Sequence, residues 1–232
     1  MARMNSSENS ALNSGKKLVI AAFGDSITEA LEVEPEQRWP QRLETALDAE
    51  NFARSTPENI QVVNCGVCGN TSREGLARME TVLSCAPNLV LVEFGGNDST
   101  DDTERSVSLD EFAANLEAIK SAVEAIGAQM ILITFPPVVN DWSTHNEKEW
   151  HKQHGGIDEH VEIYRQRTRT FAKENQLLLI DIDAALREAG KANGWEKYFV
   201  ADGVHLNEGG NELVGQTIFK NLLQSPGFRN FK

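Results

Sequence analysis

The sequence is poor in three things, and each shortage removes a class of function. Cysteine occurs only three times in 232 residues, as Cys65, Cys68 and Cys85. So small and odd a number argues against a disulfide-stapled scaffold and fits reduced thiols in the cytoplasm. Basic residues are scarce: 22 Lys and Arg against 35 Asp and Glu leave a formal net charge of −13. A field of that sign repels phosphate backbones and anionic lipid, so neither nucleic acid nor membrane is an expected partner. Long apolar runs are missing as well, and none approaches the ~20 residues that span a bilayer. Residues 1–16 are rich in Ser and Asn and lack the apolar core of a signal peptide. The expectation is a mobile N-terminal tail ahead of one domain over 17–232, in a cytoplasmic protein.

What is present is an ordinary globular composition, 40% hydrophobic and 25% charged, in a chain long enough to bury a core without staples. Four short apolar runs, Leu18–Phe23, Leu89–Phe94, Met130–Phe135 and Leu177–Ile182, lack alternation. That is the pattern of strands buried on both faces of a parallel sheet. A weaker run, Ile60–Val63, makes a fifth. Helical patterns lie between them, over Trp39–Glu50, Arg73–Ser84, Ile157–Asn175, Ile182–Asn193 and Gly209–Leu223. The clearest follows the capping-box pair Ser108 and Glu111, with Phe112, Leu116, Ile119, Val123 and Ile126 at helical spacing and Gly127 as a stop. Strands alternating with helices indicate an α/β fold with helices on both faces of the sheet.

Residues 136–160 show no regular period and hold Trp142, His145, Trp150, His151, His154 and His160. A long loop beyond a strand's carboxyl end is a common binding wall. Trp142 and Trp150 are expected to wall a substrate pocket, with core or dimer packing as the competing reading. The histidines lack a fixed scaffold, so no metal site is expected. Cys65 and Cys68 have the spacing of a redox dithiol or half a zinc site. No second pair exists, however, and their strand-to-loop setting lacks the helix N-terminus that activates such thiols.

Four loops carry candidate chemistry. The first strand runs into Gly24-Asp25-Ser26, where a serine at the sheet rim is either a helix cap or a nucleophile beside free helix N–H groups. Asp202-Gly203-Val204-His205 spaces a carboxylate to orient an imidazole whose other nitrogen can take a serine proton. Gly95-Gly96-Asn97-Asp98 ends another strand, and the Asn97 amide can donate to a developing oxyanion. The loop after the weak strand offers a backbone N–H at Gly69. Each is common turn chemistry alone; together they put a nucleophile, an acid–base pair and oxyanion donors on one edge of one sheet.

The set Gly24-Asp25-Ser26, Gly69, Gly96-Asn97-Asp98 and Asp202-Gly203-Val204-His205 resembles the four blocks of the SGNH (GDSL-type) hydrolase family, in family order. The resemblance implies a flavodoxin-like three-layer α/β/α sandwich around a five-stranded parallel sheet. It implies Ser26 as nucleophile, His205 as general base and Asp202 as its orienting carboxylate. The Ser26 and Gly69 N–H groups with the Asn97 side chain would form the oxyanion hole. Asp25 and Asp98 would brace loops, and no metal or organic cofactor is implied. Two positions depart from the pattern: Ala30 replaces a glycine four residues after the serine, and Leu206 replaces a proline after the histidine. The expected function is hydrolysis of small esters, by a short-chain or carbohydrate acetyl esterase. An acyl thioesterase or lysophospholipase is the runner-up, and a non-catalytic binder on the same scaffold is the reading from another class. A small-molecule ester is the expected partner, with the choice between monomer and homo-oligomer open.

Overall fold

The computed structural model describes residues 17–53, 59–143, 148–153, 155–225 and 228. The tail expected over 1–16 lies outside them. Five strands, β1 (Lys17–Gly24), β2 (Asn59–Gly66), β3 (Leu89–Glu93), β4 (Gln129–Ile133) and β5 (Leu179–Ile180), form one sheet in the order β2-β1-β3-β4-β5. All four pairings are parallel. Alternation along β1 separates two cores. Leu18, Ile20 and Ala22 face a layer built from α2 (Trp39–Ala53), α8 (Ile182–Asn193) and α9 (Glu208–Gln224). Ala21 and Phe23 face α3 (Ser72–Ala77), α4 (Met79–Leu83), α5 (Leu109–Ala125) and α7 (Ile157–Glu174). The result is the three-layer α/β/α sandwich.

Both faces of the sheet are covered, which is why the strands read as unbroken apolar runs. The strand order reverses between β1 and β3, so the crevice at their carboxyl ends is the place where such sheets bind ligands. A four-residue helix, α1 (Ser26–Glu29), starts in that crevice.

The expected strand Leu177–Ile182 shortens to Leu179–Ile180, with Ile182 opening α8, and three further local readings differ. The helix expected over Arg73–Ser84 is broken at Arg78, whose backbone (φ −106°, ψ 18°) ends α3 and opens α4. At α5, Ser108 Oγ accepts the Glu111 N–H at 3.2 Å. The return half of the capping box is replaced, because the Glu111 carboxylate turns to Arg73 at 2.6 Å. The 136–160 segment is not one structureless loop: a short helix, α6 (Glu149–Gln153), interrupts it and α7 begins at Ile157. Asp158 sets that start. Its carboxylate accepts the Val138 N–H at 2.8 Å and ion-pairs with Arg187 at 2.7 Å, tying the segment to α8.

Candidate active site

Ser26 is the first residue of α1, directly beyond β1. Asp25 caps the helix, its Oδ1 accepting the Ile27 N–H at 3.0 Å. The Ser26 N–H, at the first helical position, has no intrahelical acceptor. The helix closes at Ala30, which adopts a left-handed backbone (φ 55°, ψ 52°) and donates to the Ser26 carbonyl at 2.8 Å. This conformation explains a glycine in the family pattern: a Cβ there costs about 1–2 kcal/mol.

The sheet order brings His205 to Ser26 across 179 residues of chain, with Nε2 at 3.0 Å from the Ser26 Oγ. Nδ1 faces Asp202 Oδ2 at 2.6 Å. Asp202 Oδ1 accepts the Val204 and His205 N–H groups at 2.8 and 2.9 Å. Burial pushes Asp202 upward, but the bonds from His205 and the two backbone donors outweigh it and hold the carboxyl below the ordinary range. Gly203 enables the turn, with φ +71° and a Cβ position only 2.6 Å from the Val139 carbonyl. A second carboxylate is close: Glu32 Oε1 lies 3.9 Å from His205 Nδ1.

The two loops expected to carry oxyanion donors stand beside this group. Gly69 has φ +77°. Arg105 holds its carbonyl at 2.5 Å, and Glu29 holds the neighbouring Cys68 N–H at 2.5 Å. Asn97 Nδ2 donates to Asp25 Oδ2 at 3.0 Å and to the Asn70 carbonyl at 3.2 Å. The amide is therefore held in place by the Asp25–Ser26 turn on one side and by the Gly69–Asn70 turn on the other. Asp98 braces the next layer out, accepting the Ser72 N–H at 2.9 Å.

Three buried carboxyls stand behind these loops. Burial pushes Asp25 up to about 7 against the opposing Ile27 N–H bond. Burial, then the Asp25 charge, pushes Glu93 well above its usual value. Glu93 accepts the Thr28 hydroxyl at 3.1 Å. Burial raises Asp98 to about 6, opposed by the Ser72 hydroxyl and N–H. Glu93 was invisible as a site residue in the sequence, where it reads as the end of an apolar strand.

A cavity of about 240 Å³ opens beside Ser26, Asn97 and His205. Phe135, Val138, Ile157, Val161 and Val204 form its apolar wall, while Asp101, Lys148 and His151 lie on its polar side. Asp101 and Lys148 ion-pair at 2.7 Å. Trp142 is not among the lining residues; it packs against the core beside Gly203. The Trp150 side chain, His145 and His154 lie outside the described residues. A larger hollow of about 540 Å³ lies near Gln129 and Leu177, away from all these groups. It starts at the opposite ends of β4 and β5 and carries none of the proposed chemistry.

Among the described residues no group of three His, Cys, Asp or Glu side chains is arranged to hold a metal ion. Cys65 and Cys68 are free. Burial, reinforced by the Cys85 sulfur, pushes Cys65 up to about 12, and burial followed by Glu29 and Glu32 raises Cys68. Both shifts favour the thiol over the nucleophilic thiolate. No helix among the described residues is long and apolar enough to cross a membrane.

Curated relatives match part of the chain. The chain is 34% identical over 121 residues to the esterase TesA of Pseudomonas aeruginosa, covering 51% of this chain and 55% of that protein. It is 34% identical over 106 residues to the thioesterase 1/protease 1/lysophospholipase L1 of Escherichia coli K12, covering 42% of this chain and 47% of that one. The matches thus span about half the length of these relatives. Among solved structures, an acetylxylan esterase from Geobacillus stearothermophilus superposes with a TM-score of 0.68 over 90% of this chain and 94% of its own, at 24% identity. That likeness is one of fold. The model of the GDSL-like lipase/acylhydrolase family matches residues 22–213, from within β1 to within α9, and the chain belongs to that family.

Proposed function

We propose that the protein is a serine hydrolase that cleaves small carboxylic esters through an acyl-enzyme. The observation that carries this reading is the continuous relay from Asp202 Oδ2 to His205 Nδ1 at 2.6 Å and from His205 Nε2 to Ser26 Oγ at 3.0 Å. With Nδ1–H fixed on Asp202, Nε2 is the acceptor that a serine nucleophile requires. Ser26 Oγ attacks the ester carbonyl while its proton passes to Nε2. The Oγ–carbon bond forms and the carbonyl electron pair moves to oxygen, towards the Ser26 N–H, the Gly69 N–H and the Asn97 amide. The carbon–oxygen bond to the alcohol then breaks, and His205 returns the proton to the leaving alkoxide. Water repeats the sequence: its proton goes to His205, its oxygen forms the acid, and Ser26 recovers its hydrogen.

The cavity supports a small substrate. At about 240 Å³ it lies below the ~300–1,000 Å³ of typical ligand sites and above the ~150 Å³ that admits a benzene ring. An acetyl to short acyl or aryl ester fits that volume. The esterase and acetylxylan esterase named among the relatives favour oxygen esters, and the thioesterase/lysophospholipase keeps a thioester as the second reading. Free thiols and the acidic surface support a reducing, cytoplasmic setting.

Turnover of p-nitrophenyl esters from acetate to octanoate, beside acetylated sugars and acyl-CoA, tests the reading. Wild type is expected to be fastest on the shortest esters and to react covalently with a fluorophosphonate, and Ser26→Ala to do neither. Undiminished labelling of Ser26→Ala removes the serine from its role, and binding without turnover by wild type favours the non-catalytic alternative.

A further inference from the structure

Arg78 belongs to none of the four blocks, yet its guanidinium reaches the ends of β1 and β2 and the Gly69–Asn70 turn. From the break between α3 and α4, Nη2 donates to the Gly24 carbonyl at 2.9 Å, two residues before Ser26. Nη1 donates to the Cys65 carbonyl at 2.8 Å, at the end of β2. Nε donates to Asn70 Oδ1 at 2.6 Å. The plane of the group covers the Phe23 ring, with Cζ 4.8 Å from the centroid. None of the three partners is a carboxylate. Burying half of this cation costs desolvation that the nearby Glu29 and Asp25 carboxylates offset only in part. A clamp for the core has no need of a charge.

What joins the three acceptors is the seam between the Ser26 turn and the Gly69–Asn70 turn. The backbone carbonyl of Asn70 accepts from Asn97 Nδ2, and Gly69 precedes it directly. Asn97 is bonded in turn to Asp25, the neighbour of Ser26. The guanidinium therefore closes a ring that runs from Gly24 through Asp25, Asn97 and Asn70 and back to Arg78. We propose that Arg78 is a positioning residue: it fixes the separation of the nucleophile turn from the Gly69–Asn70 turn, and so sets where the oxyanion donors point. This rests on the hydrolase reading above. A planar fork can hold acceptors at two strand ends and in one turn at once, whereas a lysine ammonium is a point charge on a flexible stem. Donors displaced by a fraction of an ångström lose transition-state stabilisation while substrate still enters the pocket.

The test is a double-mutant cycle on p-nitrophenyl acetate. Arg78→Lys is expected to lower kcat by about 10- to 100-fold, less than the ~10²–10³ of a lost oxyanion donor, with KM within about twofold. Combined with Asn97→Ala, it should add much less than its loss in wild type, because both changes act on one set of donors. Asn70→Ala leaves the guanidinium and its two backbone bonds in place, and should give a smaller kcat loss with the same non-additivity. It carries the comparison alone should Arg78→Lys fail to fold. Unchanged kcat, or losses that multiply in full with Asn97→Ala, overturn the inference. An inactive wild type would instead overturn the hydrolase reading, so the two failures are distinct.

Discussion

Replacing Asp202 by asparagine is the sharpest perturbation that the site geometry allows, because it changes one atom and leaves the shape intact. Oδ1 of Asp202 accepts two backbone N–H groups at 2.8 and 2.9 Å, while Oδ2 faces His205 Nδ1 at 2.6 Å. An asparagine keeps its oxygen on the two backbone donors, since the reverse orientation sets NH₂ against both. Its amide nitrogen then faces Nδ1. Two donors cannot share that contact, so the imidazole adopts the other tautomer and carries its proton on Nε2. Nε2–H donates to Ser26 Oγ across the 3.0 Å contact and cannot take the serine proton. The same change in a Ser-His-Asp protease costs about 10⁴ in kcat, or about 5 kcal/mol of barrier. Asp202→Ala should be the milder variant. It imposes no wrong tautomer, and Glu32 Oε1 already stands 3.9 Å from Nδ1 as a substitute carboxylate. Steady-state kinetics on p-nitrophenyl acetate, with thermal melts to confirm folding, separate the two. If Asp202→Asn retained more than about a tenth of wild-type kcat, or proved more active than Asp202→Ala, the tautomer argument would fail.

Other consequences are open to simple measurements. Asn97→Ala should lose about 10²–10³ in kcat while remaining folded, checked by kinetics alongside circular dichroism. Gly96→Ala would place a Cβ 2.1 Å from the Phe135 ring and push that ring into the cavity, so the octanoate-to-acetate rate ratio should fall. Asp25, Glu93 and Asp98 all have raised folded-state values. The native state therefore holds protons that the unfolded chain releases near pH 4, and stability should fall as pH rises from about 4 towards 7. For Asp98, raised from 3.8 to about 6, the effect is on the order of 3 kcal/mol. Urea unfolding at pH 5 and pH 8 should show greater stability at pH 5 and a smaller difference in Asp98→Asn. Greater stability at pH 8 would contradict the burial argument.

The sequence by itself determined what depends on neighbours along the chain. Strand runs were legible because both faces of a parallel sheet are covered, so no alternation was needed to mark them. The helix Ile182–Asn193 was legible to the residue, and Asp202 and His205 were legible as a pair because three residues on a turn suffice to join them. Tertiary structure decided everything that depends on strand order. The order β2-β1-β3-β4-β5 puts β1 beside β3, and only that adjacency brings Asn97 to Asp25 across 72 residues. Periodicity gave one helix over Arg73–Ser84, yet the chain breaks at Arg78, where the guanidinium bonds three carbonyl-type acceptors on other elements. The aromatic signal pointed to Trp142 and Trp150 as pocket walls; Trp142 lies off the cavity, which Phe135, Val138 and Val161 line, and the Trp150 side chain is outside the described residues. A side chain's type is written in the sequence, but which hollow it faces follows from packing between segments far apart in the chain.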